Sequence, residues 1–205
     1  MKGILSLLKM KARSGKPSDD HTDSVLFSTA FAGQGVDDSM LVPWEARAVE
    51  VGAKRLPTSR GGKLLQGLWA KDKYMAHLDK DAVERMERFF EFAAVPSNRD
   101  VIRQDEYGNF MVVLLTGTIA VDRVQPWGEQ LRLAETRPGD ILGEMSLLDS
   151  GIRFSACTTL TDCEIAVLSA EAMDDMMTKD PQLAASLIAL LARKLSLRLR
   201  VVSAR

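Results

Sequence analysis

Cysteine and histidine are scarce in this sequence, two of each in 205 residues, and that scarcity excludes several kinds of protein. Two cysteines do not make a disulfide scaffold in a chain this long. Cys157 and Cys163 both lie in apolar, strand-like stretches, where a free cysteine behaves as a small buried hydrophobe. His21 and His77 stand far from the cysteines and from each other, so no zinc-ligand spacing is present. An excess of either charge is lacking too. The formal net charge is −1, which gives no global attraction to nucleic acid or anionic membrane. No apolar run approaches the length of a membrane span. Residues 1–9 hold a short apolar core, but no small-residue cleavage site follows it, unlike a secretory signal. The expectation is a soluble protein of the reducing cytoplasm. No nucleophile–base pair or carboxylate pair stands at a supporting spacing, so the chain reads as a non-enzyme.

What is present is ordinary globular material, 46% hydrophobic and 27% charged, divided into regions of different character. Residues 1–63 read as an N-terminal extension, largely flexible, with linkers at residues 11–24 and 56–63 that are rich in Ser, Lys, Gly and Asp. Two short segments, residues 25–31 and 40–51, are apolar enough to dock on something. Within residues 1–13, Ile4, Leu5, Leu7 and Leu8 beside Lys2, Lys9, Lys11 and Arg13 form a candidate basic amphipathic contact for a membrane surface or a partner.

From residue 64 the apolar period becomes helical. Asp79 is placed to cap a helix carrying Val83, Met86, Phe89 and Phe90 at spacings of three and four. After Pro96 the pattern changes to short β-branched runs at residues 111–116, 118–121, 131–136 and 163–168. Turn signals separate them at residues 107–109, 125–128 and 138–140. Such spacing predicts a small antiparallel roll. A short helix is expected from Ser169 or Ala170, and a long one from Asp180-Pro181. The latter carries Leu183, Leu187, Ile188, Leu191, Leu195, Leu199 and Val202. The fold class expected is therefore α+β, mainly β: a jelly-roll-like antiparallel roll with an N-terminal helix and two C-terminal helices, the last one long.

Chemistry concentrates in residues 138–157, Pro-Gly-Asp-Ile-Leu-Gly-Glu-Met-Ser-Leu-Leu-Asp-Ser-Gly-Ile-Arg-Phe-Ser-Ala-Cys. A glycine precedes the Glu144 carboxylate, a helical turn follows, and Arg153 comes nine residues after it. A guanidinium suits a phosphate, to which it donates two parallel hydrogen bonds. A carboxylate suits a ribose hydroxyl, and Gly143 lets backbone approach a sugar closely. From spacing alone, a surface loop in which Glu144 and Arg153 merely pair with each other fits equally well.

This stretch resembles the phosphate-binding cassette of cyclic-nucleotide-binding domains, the family that includes catabolite activator proteins and kinase A regulatory subunits. The resemblance runs from about residue 78 to residue 199. It includes Val95-Pro96 leading to residues 101–104 as a first strand pair, the Glu106-Tyr107-Gly108-Asn109 turn, the Leu115-Thr116-Gly117-Thr118 turn and Pro138-Gly139-Asp140. It implies that residues 64–205 form a cyclic-nucleotide-binding domain that includes the C-terminal helix. Glu144 would hold the ribose hydroxyl and Arg153 the cyclic phosphate. Gly143, Met145 and Ser146 would line the pocket through backbone groups, and Phe154 or Ser155 would complete the phosphate shell. Arg198 would reach the base from the last helix, or merely complement that helix's dipole.

Three residues depart from the family pattern. Phe154 stands where a small residue usually follows the arginine, Ile152 where proline is frequent, and Asn109 where an aspartate is usual. The Phe154 ring could fill or narrow the base pocket. No cofactor is expected besides a cyclic nucleotide ligand, cyclic AMP or a relative. The implied function is a sensor that signals through a protein partner by repositioning its C-terminal helix, undocked without ligand and docked with it. A homodimer through that helix is expected. Direct DNA binding is not, since no helix-turn-helix pattern follows the helix before Arg205. A ligand-independent scaffold and a membrane-peripheral adaptor are the alternatives.

Overall fold

The computed structural model describes residues 26–75 and 78–203. The basic contact in residues 1–13, the linker at 11–24 and both histidines lie outside the described residues. The described residues begin with α1 (Ala30–Gly33), a 3-10 turn (Asp38–Met40), α2 (Trp44–Glu50), β1 (Lys54–Arg55), α3 (Thr58–Trp69) and α4 (Lys80–Glu87). The strands β2 (Glu91–Val95), β3 (Asp100–Ile102), β4 (Phe110–Thr116), β5 (Ile119–Val124), β6 (Gln130–Glu135) and β7 (Ile141–Leu142) follow. Then come α5 (Glu144–Asp149), β8 (Ala156–Thr159), β9 (Cys163–Ser169), α6 (Ala170–Lys179) and α7 (Pro181–Ser203).

Two antiparallel sheets form the roll, in the orders β1-β2-β9-β4-β7 and β3-β8-β5-β6. Strand β4 shows why its sequence is a continuous apolar run. Phe110, Val112 and Leu114 face the interior between the sheets. Met111, Val113 and Leu115 face a second core made with Trp69, Met86, Met173, Leu187 and Leu191 of the helices. A strand buried on both faces cannot show alternation. The helix starts follow their caps. Asp79 accepts the Ala82 amide at 2.7 Å, and Ser169 Oγ accepts the Ala172 amide at 3.1 Å, each satisfying an amide that the helix itself leaves unpaired.

Three expectations need correction. The expected docking segments do pack, with Phe27, Phe31, Trp44 and Val51 buried, but the rest of residues 26–63 is not a flexible arm: Val36 and Leu56 are buried too, and the expected boundary at residue 63 falls inside α3. The linker-like composition of residues 56–63 misled because Gly61 and Gly62 are there for close packing, with Phe92 and Glu87 against their α-carbons. The strands β2 and β3, expected as a pair, join different sheets, β2 with β9 and β3 with β8. Finally, β6 alternates in sequence but is exposed along its whole length. It is the outer strand of its sheet, and Arg132 reaches across it to pair with the buried Asp122 on β5.

Candidate functional site

The hairpin-like passage from β7 into α5 places the first groups. Gly143, between β7 and α5, is in the left-handed region at φ 75°, a conformation that favours glycine. Glycine is required there for a second reason: a Cβ would stand 2.5 Å from Arg153 Nη1. Gly108 is held by the same neighbour, since its Cβ would meet Arg153 Nη2 at 2.6 Å. Between these two glycines the Arg153 side chain is almost wholly buried, 3% exposed.

Arg153 donates from Nη1 to the Gly143 carbonyl at 2.8 Å and from Nη2 to the Phe110 carbonyl at 2.7 Å. Its guanidinium also lies over the Phe110 ring, 4.7 Å from the centroid. Among the described residues no carboxylate lies within ion-pair distance of it, so Glu144 and Arg153 are not the mutually neutralising pair that spacing allowed. Burial pulls the guanidinium down to about 10, and the positive charge of Arg47 acts in the same direction. It remains a cation at neutral pH. A buried cation held by carbonyl dipoles alone retains an electrostatic demand for an anion.

Glu144, the first residue of α5, is also buried, 3% exposed. It is paired with Arg198 of α7, which donates to it from Nη1 and to the Ile141 carbonyl from Nη2 at 2.7 Å. Burial raises the carboxyl above its ordinary value, and the nearby Arg198 charge opposes that rise. Arg198 therefore reaches the carboxylate rather than serving only the helix dipole.

The remaining expected residues divide. Ser146 is buried and Ser155 half-buried, whereas Met145 is 45% exposed. Phe154 is 50% exposed, its ring stacked 3.7 Å from the Arg123 guanidinium. The ring is thus turned to the surface and is not buried as a plug in the roll. The Phe154 amide has no acceptor among the described residues and is free to donate. Arg123, whose register partner is Leu131 on β6, was missed in the sequence because the β5 pattern carries no signal for a cation across from the cassette.

Comparison with known proteins points to the same stretch of chain. Residues 93–180 match the family described as the cyclic nucleotide-binding domain. Over those residues the chain is similar to that family. The cyclic AMP receptor protein of Thermus thermophilus is 31% identical over 107 residues, covering 52% of this chain and 50% of that protein. The chain spans about half the length of the curated relatives it matches. A cyclic nucleotide-binding domain from Methylobacillus flagellatus superposes with a TM-score of 0.67 at 22% identity, covering 72% of this chain and 84% of the other. The catabolite activator protein of Thermus thermophilus gives a TM-score of 0.56 at 28% identity, covering 64% and 63%. The family match begins inside β2, so residues 26–92, including α1 to α4, lie outside it. No helix among the described residues is long and apolar enough to cross a membrane, and they hold no group of side chains that could bind a metal.

Proposed function

We propose that the chain is a non-enzymatic cytoplasmic sensor that binds a cyclic nucleotide through Arg153 and Glu144 and signals to a protein partner through its C-terminal helix. The observation that carries this reading is Arg153, buried and charged with no carboxylate beside it among the described residues. A cyclic phosphate carries the single negative charge that completes such a site. The free Phe154 amide adds a donor at the same point, and Glu144 is the acceptor for a ribose hydroxyl. Phe154 itself, half exposed against Arg123, does not favour the ligand-independent scaffold.

The Arg198–Glu144 contact supports a role for α7 as the moving element. A ribose hydroxyl and Arg198 seek the same carboxylate, so ligand and helix position are linked by their difference in affinity. The movement is confined to the distal half of α7. Leu183, Leu187, Leu190 and Leu191 are at most 2% exposed, and undocking the whole helix would expose all four. Beyond them Leu197, Leu199 and Val201 are 46%, 66% and 59% exposed, which supports a homodimer seam on this part of the helix.

Calorimetric titration with cyclic AMP, cyclic GMP and cyclic di-GMP tests the reading. Micromolar or tighter binding of one of them is expected. Arg153→Ala is expected to weaken it at least tenfold, about 1.4 kcal/mol, a modest loss for a charge-assisted phosphate contact. No heat from the wild-type chain with any of the three would overturn the sensor reading and favour the scaffold.

A further inference from the structure

The segment preceding α3 is not part of the matched family region, yet it forms the rear wall of the Arg153 site. Trp44, the first residue of α2, is 4% exposed and meets the Phe110 ring edge-on at a centroid distance of 5.6 Å. Phe110 in turn touches Arg153 twice, through its ring and through its carbonyl. A second line of contact runs through the turn before β4. Val42 donates its amide to the Tyr107 carbonyl at 2.9 Å, and Leu41 bridges Tyr107, which bridges Ile152. Arg47, 1% exposed, pairs with Glu106 and with Glu50. Glu106 accepts the Arg153 amide at its own carbonyl, 2.8 Å away. The buried Nε of Arg47 has no hydrogen-bond partner among the described residues, and Arg47 and Arg153 line one small recess with Val42, Ile102, Glu106 and Tyr107.

We propose that Trp44 and Arg47 are positioning residues for Arg153: α2, strapped across the back of the roll, excludes water from the guanidinium and fixes the two carbonyl contacts that aim it. The inference rests on the reading of Arg153 as the phosphate-binding group. Its physical basis is that a phosphate contact gains strength when its donor is desolvated and held in place before the ligand arrives. Phe110 is the transmitting group, because its carbonyl accepts from Arg153 while its ring is fixed between Arg153 and Trp44. Movement of the indole shifts both contacts together. Arg47 holds the Glu106–Gly108 turn, against which the guanidinium packs.

The test uses the full chain with Trp44→Leu, Trp44→Phe and Arg47→Met, and with Asp174→Asn as a control that loosens the start of the same segment, at Leu26, Phe27 and Ser28, through contacts that do not include Arg153. Two quantities are read: the Kd for cyclic AMP by calorimetry, and exchange of the Arg153 side-chain N–H protons by nitrogen-15 NMR. The second needs no nucleotide. Trp44→Leu and Arg47→Met are expected to weaken binding at least fivefold and to accelerate Arg153 N–H exchange. Trp44→Phe, which keeps an aromatic edge on Phe110, restores both towards wild type. Asp174→Asn lowers thermal stability while leaving both unchanged. Losses of affinity that simply follow thermal stability across all four variants would overturn the proposal, as would Arg153 exchange unaltered by Trp44→Leu. If the wild-type chain takes up no cyclic nucleotide, the site reading fails separately, and Arg153 exchange still decides whether α2 positions the guanidinium.

Discussion

At the scale of single residues, the site rests on two buried charges that are treated differently. Among the described residues Arg153 is neutralised by no side chain and is held by the carbonyls of Gly143 and Phe110. Glu144 has a counter-ion, but a removable one, since the Arg198 side chain is 47% exposed. The raised Glu144 carboxyl fixes the sign of a pH effect. Folding makes this group easier to protonate than it is in the unfolded chain, mainly through burial. The cost of its buried charge is therefore present above the folded pKa and is relieved as pH falls through it. The Arg198 pairing is lost as the carboxyl protonates over the same window. A carbon-13 carboxyl titration, with the resonance assigned by Glu144→Gln, is expected to give a midpoint above 4.5, the ordinary glutamate value. Arg198→Met, which removes the opposing positive charge, is expected to move it higher. A midpoint that stays put in Arg198→Met would mean that the contact is not populated in solution.

At the scale of elements, the N-terminal segment is tied down by one carboxylate. Asp174 on α6, 5% exposed, accepts the amides of Leu26, Phe27 and Ser28 at 2.9 Å each and the Ser28 hydroxyl at 2.7 Å. Gln34 then reaches from beyond α1 to the Asp149 carbonyl at the end of α5, 2.7 Å away. Hydrogen bonds to a charged, buried acceptor contribute about 1.5–3 kcal/mol, and an amide side chain presents a donor where the site needs only acceptors. Asp174→Asn is therefore expected to destabilise the fold by about 2 kcal/mol. Hydrogen exchange should rise at residues 26–34 and not in β4 or β9. Uniform loss of protection throughout the roll would show that this segment unfolds only with the whole domain.

At the scale of the whole molecule, β4 separates two cores, one between the sheets and one beneath the helices. The site lies where they meet. Phe110 belongs to the inner core, while the Ile141 carbonyl that takes Arg198 belongs to a residue of the outer one. A change at α7 thus reaches the cassette without crossing the interior of the roll. The exposed Leu199 and Val201 near the end of α7 lead to one expectation for assembly. Light scattering of the full chain should give twice the 22.6 kDa of one copy. Leu199→Glu should return it to a single copy with the roll still folded, because a charge is not accommodated in a desolvated seam. A wild-type mass of one copy would dismiss the dimer.

The sequence determined by itself whatever depends on local chemistry. The caps at Asp79 and Ser169, the glycine turns, the restart at Pro181 and the Gly143–Glu144–Arg153 spacing were legible because each is written within a few neighbouring residues. The burial of residues 26–63 was not, since its causes are distant: Asp174 lies almost 150 positions from Leu26, and the glycines of α3 are packing contacts that look like a linker in one dimension. Nor could spacing choose the partners of the two site charges. Arg153 and Glu144 are near enough in sequence to pair, but tertiary structure gave Arg153 to two carbonyls and Glu144 to Arg198, 54 residues along the chain. Local sequence sets which groups are available. Which of them lose water together is decided only when the sheets, α2 and α7 close around the cassette, because desolvation is a property of the packed whole.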